Sequence, residues 1–252
     1  MSAPLAPGAE PFSATGGELG VLVLHGFTGS PVSMRPIAEC LADRGYTVEL
    51  PLLPGHGTAL EDLVPMRWSD WTGAAADAYD GLAARCRAVA VVALSMGGGL
   101  AAWLAEQRPT VAALALVNPL VMPVADELRQ GGRDLLDAGV ETLESIGNDI
   151  ALEGADEHGY DAMPIAAAMS LMDGLEDVAA SLGTITCPTL VLTSREDHVV
   201  STDNSELVAA KVAGPVEHVW LERSYHVATL DHDAALVESE TCRFLEAAFE
   251  SA

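Results

Sequence analysis

The sequence predicts an α/β fold: a mostly parallel central sheet with helices on both faces and a small helical cap insertion. Three observations carry this expectation. Short unbroken apolar runs, Gly20–Leu24, Val89–Leu94 and Val111–Val117, read as strands covered on both faces. Helix-period segments alternate with them, as the crossovers of a parallel sheet require. Several runs also end in a chemistry-bearing residue, and open α/β sheets gather reactive groups at the C-terminal ends of their strands.

Taken in order, Met1–Glu10 reads as a loose arm, with Pro4, Pro7 and Gly8 in it and Pro11 just beyond. It lacks a basic n-region and an apolar h-region, so no signal peptide is expected. The Gly20–Leu24 strand runs into His25-Gly26-Phe27-Thr28-Gly29-Ser30-Pro31. Pro31 can open a helix, and Ile37, Cys40 and Leu41 recur at helical spacing up to Gly45, a C-terminal stop. Tyr46–Leu50 is a strand closed by Pro51 and Pro54, with a Gly55-His56-Gly57 loop after it. Trp68, Trp71, Ala75, Tyr79 and Leu82 place a helix over Trp68–Cys86, its tryptophans read as core. Val89–Leu94 then delivers Ser95, and Gly97, Gly98 and Gly99 are expected to turn the chain into a Leu100–Glu106 helix. Val111–Val117 ends at Asn118-Pro119.

From Leu120 to about Gly183 the rhythm breaks and no strand-like run is evident. Residues 120–183 are therefore read as the cap, inserted in a single domain spanning 1–252. Ile165, Met169, Met172, Leu175, Ala179 and Leu182 form one helical stripe there. Methionine adapts to flexible chains, so Met169 and Met172, with Met163, are candidates to line an acyl pocket; core packing explains them equally well. The sheet resumes at Thr189–Thr193, followed by a helix over Ser201–Val212, a strand at Val216–Leu221 and a helix over Asp231–Phe249.

The formal charge is −25 and Lys211 is the sole lysine. Such a surface repels phosphate backbones and anionic membranes, which argues against nucleic acid and leaves neutral small molecules unpenalised. The apolar runs fall short of the roughly 18–20 residues of a membrane helix, so stable membrane insertion is not expected. Cys40, Cys86, Cys187 and Cys242 are dispersed, with no C-x-x-C pair; reduced thiols in a cytoplasmic protein are the expectation. No H-E-x-x-H cluster and no G-x-G-x-x-G after a strand appear, so neither metal nor cofactor is expected. Monomer and homodimer both stay open.

Reactive candidates stand at four strand ends: Ser95, the His25-Gly26-Phe27 turn, Asp197 and His226. A serine hydroxyl needs a base, and an imidazole titrates near neutral pH. A carboxylate can fix the imidazole tautomer and stabilise its cation. The tetrahedral intermediate needs donors already in place, and the N–H groups of Met96 and Phe27 are the natural pair. Glu196 and Asp203 compete with Asp197 as the acid. His25 is placed to brace the oxyanion loop and His56 to bond within its own loop. His158, His198, His218 and His232 read as structural or surface residues.

These motifs resemble the α/β-hydrolase superfamily, and within it the small bacterial carboxylesterases and monoacylglycerol lipases. His25-Gly26-Phe27-Thr28-Gly29-Ser30-Pro31 is similar to that family's oxyanion motif, and Pro54-Gly55-His56-Gly57 with Asp70-Trp71 to its second signature. Leu94-Ser95-Met96-Gly97-Gly98 is similar to its nucleophile elbow, with Ala93 in place of the usual first glycine. Asp197-His198-Val199-Val200 and Tyr225-His226-Val227 match its acid and base positions. The resemblance implies nucleophile Ser95, acid Asp197, base His226 and oxyanion donors Phe27 and Met96. It implies an ester hydrolase acting on short- to medium-chain acyl esters or monoacylglycerols. A thioesterase, an amidase or a proline-releasing peptidase would use the same three side chains. A non-catalytic binding homologue is the contrasting reading, disfavoured because all three positions are filled.

Overall fold

The computed structural model describes residues 3–250. Seven strands, β1 (Phe12–Ala14), β2 (Leu19–Leu24), β3 (Thr47–Leu50), β4 (Ala88–Leu94), β5 (Val111–Val117), β8 (Thr189–Ser194) and β9 (Val216–Leu221), form one sheet in the order β1-β3-β2-β4-β5-β8-β9. All neighbours are parallel except β1, which pairs antiparallel with β3. This is the mostly parallel sheet the apolar runs predict.

The helices cover both faces, and strand alternation sorts the core into two layers. Leu22, Leu24, Val91, Ala93, Leu114 and Leu116 point towards α3 (Trp68–Ala83) and α4 (Met96–Gln107). Val21, Val23, Ala90, Val92, Ala113 and Ala115 point towards α1 (Arg35–Asp43) and α8 (Ala234–Glu250). Trp71 is fully buried in the first layer and its indole N–H donates to Pro54 O at 3.0 Å. Truncating so large a buried side chain typically costs about 3–5 kcal/mol. A short helix α2 (Leu60–Leu63) and α7 (Asp203–Lys211) complete the frame.

Three expectations are corrected. The N-terminal arm is pinned: Ala6 N–H donates to Gly57 O, Ala9 is fully buried and Phe12–Ala14 adds an edge strand. Met1 and Ser2 lie outside the described residues. The cap contains β-structure: β6 (Thr142–Glu144) and β7 (Ala162–Pro164) pair antiparallel in a ribbon of three residues a side, too short for an alternating pattern to register. Finally, the glycines after Ser95 do not make the turn. Helix α4 already begins at Met96, and Ser95 itself carries the positive φ of 56°.

The cap joins β5 to β8. Helix α5 (Asp126–Asp137) has no buried residue and lies against α6 (Ile165–Ser181), to which Arg129 ties it through Asp173 and Glu176. Ala167, Leu171, Leu175 and Val178 of α6 merge with the first core layer. A close approach lies at Gly174, where a Cβ would stand 2.4 Å from the Trp68 ring.

Candidate active site

Ser95 sits between β4, at the centre of the sheet, and α4, with φ 56° and ψ −122°. A non-glycine residue held there stores about 1–3 kcal/mol of strain, which the surrounding structure must sustain. The surroundings explain the glycines. A Cβ on Gly97 would lie 2.6 Å from Leu24 O, one on Gly98 2.7 Å from Pro119 Cβ, and one on Gly99 2.7 Å from Leu120 O. Their absent side chains let α4 start hard against the ends of β2 and β5. Ala93 is fully buried, so one methyl fits where the resemblance expects glycine.

The turn after β2 lies directly over the serine: a Cβ on Gly26 would be 3.3 Å from Ser95 Cβ. Among the described residues, the N–H groups of Phe27 and Met96 have no protein acceptor. His25 holds this turn from beneath. It is fully buried, its Nδ1–H donates to Gly26 O at 2.9 Å, and its Nε2 accepts from Leu53 N at 3.1 Å. Both bonds require the neutral Nδ1-protonated ring, and burial lowers its pKa to about 4. His56 packs edge-on to His25, Phe27 and Trp71, donates to Pro54 O, and is lowered to about 3, chiefly by burial. The bracing expected of His25 and the local bonding expected of His56 are what the contacts provide.

Asp197 and His226 follow β8 and β9. Their side chains, 2% and 8% exposed, meet with His226 Nδ1 donating to Asp197 Oδ2 at 2.7 Å. The other carboxylate oxygen of Asp197 accepts from Val199 N and Val200 N, both at 2.8 Å. A carboxylate so placed fixes the imidazole tautomer and leaves Nε2 free to face a hydroxyl. Glu196 and Asp203 are exposed and neither bonds to His226. Ser95 Oγ and His226 Nε2 form no hydrogen bond among the described residues. Such contacts often tighten only in the substrate complex.

Ser95 and His226 are each anchored through the backbone to one of two neighbouring residues at the end of β5. Ser95 N–H donates to Val117 O at 3.1 Å. Asn118, buried and at φ 42°, donates from Nδ2 to His226 O at 2.7 Å and to Ser194 Oγ at 3.0 Å, while its Oδ1 accepts from Ser194 N at 2.7 Å. The sequence shows Asn118 only as the end of a strand. Its positive φ, a conformation asparagine tolerates better than most residues, is visible only in the structure.

Two cap carboxylates also escaped the sequence reading, because neither sits in a motif. Asp149 accepts from the backbone N–H of His226 and of His198, the residue after Asp197. Glu157 is buried beside the turn after β2, where a Cβ on Gly29 would be 2.9 Å from its Oε2. Burial pushes its carboxyl up to about 7, with His226 opposing and Asp156 and Asp149 adding to the shift. Its carboxyl oxygens have no protein donor among the described residues. Of the cap methionines considered for an acyl pocket, Met172 packs against the first core layer, and Met169 Sδ would be 3.2 Å from a Cβ on Gly132 of α5.

A strained serine elbow, flanking free N–H donors and an Asp–His pair at successive strand ends define a hydrolase of the α/β class. The chain matches the family described as serine aminopeptidase, S33, over residues 18–233, and it belongs to that family. It is 40% identical over 243 residues to the thermostable monoacylglycerol lipase of Bacillus sp. (strain H-257), covering 96% of each chain. It is 29% identical to a carboxylesterase of Bacillus subtilis (strain 168), covering 94% of this chain and 96% of that one. Among solved structures, one reported with the metagenome-derived lipolytic enzymes LipS and LipT superposes with a TM-score of 0.92 at 39% identity, over 96% of this chain and 99% of that one. No helix of the described residues is long and apolar enough to cross a membrane.

Proposed function

We propose that the protein is a serine hydrolase of carboxylic esters, working by a catalytic triad of Ser95, His226 and Asp197 without a cofactor. The observation that carries this reading is the buried Asp197–His226 bond of 2.7 Å, hung from the same strand end as the elbow serine. His226 Nε2 takes the Ser95 proton as Oγ attacks the acyl carbon. Asp197 stabilises the resulting imidazolium without itself being protonated. The oxyanion is received by the N–H groups of Phe27 and Met96, a donor pair in which each member is typically worth about 2.7–4 kcal/mol of barrier. The imidazolium then protonates the departing alcohol. Water, deprotonated by the same imidazole, releases the acid and regenerates the Ser95 hydroxyl.

The substrates are uncharged short- to medium-chain acyl esters, monoacylglycerols among them. The lipase and carboxylesterase relatives support this choice, and so does the acidic surface, which disfavours anionic substrates. Glu157 supports a polar alcohol side: a buried carboxyl with no protein donor is best satisfied by substrate hydroxyls. Met169 and Met172 are assigned to the acyl side. The enzyme works as one α/β unit capped by residues of about 120–183, in the cytoplasm, where its four free cysteines suit a reducing milieu.

The test is a hydrolysis screen of p-nitrophenyl esters of graded acyl length, with monoacylglycerols, thioesters and aminoacyl amides alongside. Turnover confined to oxygen esters, with an optimum in chain length, is expected. Preference for the amides would favour the peptidase reading that the family description carries.

A further inference from the structure

The chemistry above leaves the buried carboxylate of Asp149 without a role. Asp149 lies in the strap between β6 and β7, and its side chain is 8% exposed. Its Oδ2 accepts the backbone N–H of His226 at 3.0 Å and of His198 at 3.2 Å. Its Oδ1 accepts from His198 Nδ1 at 2.9 Å, and its own carbonyl accepts from Val227 N at 3.1 Å. The strap is held in return by Asp231, after the base loop, which accepts from Ala151 N at 2.7 Å, Leu152 N at 2.9 Å and Tyr225 N at 2.9 Å. The peptide of His226 is thus gripped on both sides, its N–H by the cap residue Asp149 and its C=O by Asn118 of the sheet. One carboxylate oxygen spans the acid loop and the base loop, so it sets the separation of the backbones that carry Asp197 and His226.

We propose that Asp149 is a positioning residue for the catalytic imidazole, through which the place of His226 depends on the seating of the cap strap. The kinetic consequence rests on the catalytic reading of Ser95 and His226; the consequence for the His226–Asp197 hydrogen bond does not. A displacement of about 1 Å at a reacting group can cost on the order of 10²-fold in rate.

The experiment compares wild type, Asp149→Ala and Asp149→Asn, with circular dichroism confirming folding. Kinetics use p-nitrophenyl butyrate, and proton NMR follows the far-downfield His226 Nδ1–H, assigned by its loss in His226→Ala. Asp149→Ala is expected to lower kcat by about 10²-fold with KM within about threefold. Its downfield proton should broaden or vanish. Asp149→Asn keeps one oxygen acceptor and should fall between, losing about tenfold. It carries the test alone if the alanine variant does not fold. Wild-type kcat with an undisturbed downfield proton, even beside a lowered melting point, would make Asp149 a tether of the cap only and overturn the inference. If the wild type turns over no ester, the hydrolase reading falls and the NMR comparison decides the positioning role by itself.

Discussion

The elbow and the cap strap border the same site but are built by different means. Around Ser95 the geometry is made by backbone packed against backbone: Gly97, Gly98 and Gly99 bring the start of α4 against the ends of β2 and β5. Across the site, the strap is held by side chains reaching for backbone N–H groups, Asp149 to His226 and His198, and Asp231 to Ala151 and Leu152. The first kind of construction tolerates almost no added atom. The second tolerates bulk but not the loss of an acceptor. Substitutions at the two places should therefore fail in different ways.

The largest expected effects belong to the proposed triad. Ser95→Ala and His226→Ala should each lower kcat/KM for a p-nitrophenyl ester by ~10⁴–10⁶-fold with folding intact, as removal of members of such a unit does elsewhere. Asp197→Asn should cost on the order of 10⁴-fold, because the amide can orient the wrong tautomer. Glu196→Gln should leave turnover unchanged, since Glu196 is exposed and unbonded to His226. A reversed result in that pair would move the acid by one residue.

A pair of glycine substitutions sharpens the comparison further. Gly97→Ala places a methyl 2.6 Å from Leu24 O. It should destabilise by about 1–3 kcal/mol and depress turnover as the elbow shifts. Gly131→Ala, on the exposed cap helix α5 with nothing within 4 Å, should leave activity unchanged and stabilise by about 0.4–1 kcal/mol. Urea denaturation with parallel kinetics reads both. Equal effects at the two sites would remove the distinction drawn above.

A further effect is pH-dependent and belongs to the sheet side. The folded-state pKa of His25 is about 4 against 6.5 for an unperturbed ring, so the unfolded chain binds the proton first as pH falls. Stability is fully present above pH 6.5 and declines down to about pH 4. His25 alone contributes about 3 kcal/mol of that loss, and His56 adds in the same direction. His25→Gln, whose amide can donate to Gly26 O and accept from Leu53 N, should flatten the fall in urea midpoint between pH 7 and 4.5. An unaltered slope would assign the acid sensitivity to other groups.

The same contrast explains what could be read without coordinates. The elbow, the glycine turn after β2 and the positions of Asp197 and His226 are local: apolar runs, glycines and strand ends within a few residues of one another. The sheet follows from β2, β4 and β5 being buried on both faces. Asp149, Asn118 and Glu157 left no such mark, because each acts on residues distant along the chain, through hydrogen bonds to them or by burial alone. The β6–β7 ribbon and the edge strand β1 stayed hidden because three residues are too few to establish a period. The elbow was half read: its location was evident, but its strain sits on Ser95 and its glycines serve close packing.

The most direct test is covalent. A fluorophosphonate probe incubated with the intact protein, followed by peptide mass mapping, should place a single phosphonyl adduct on Ser95. Labelling should vanish in Ser95→Ala and slow by orders of magnitude in His226→Ala. A folded wild-type protein that takes up no probe, or takes it at another residue, would contradict the account.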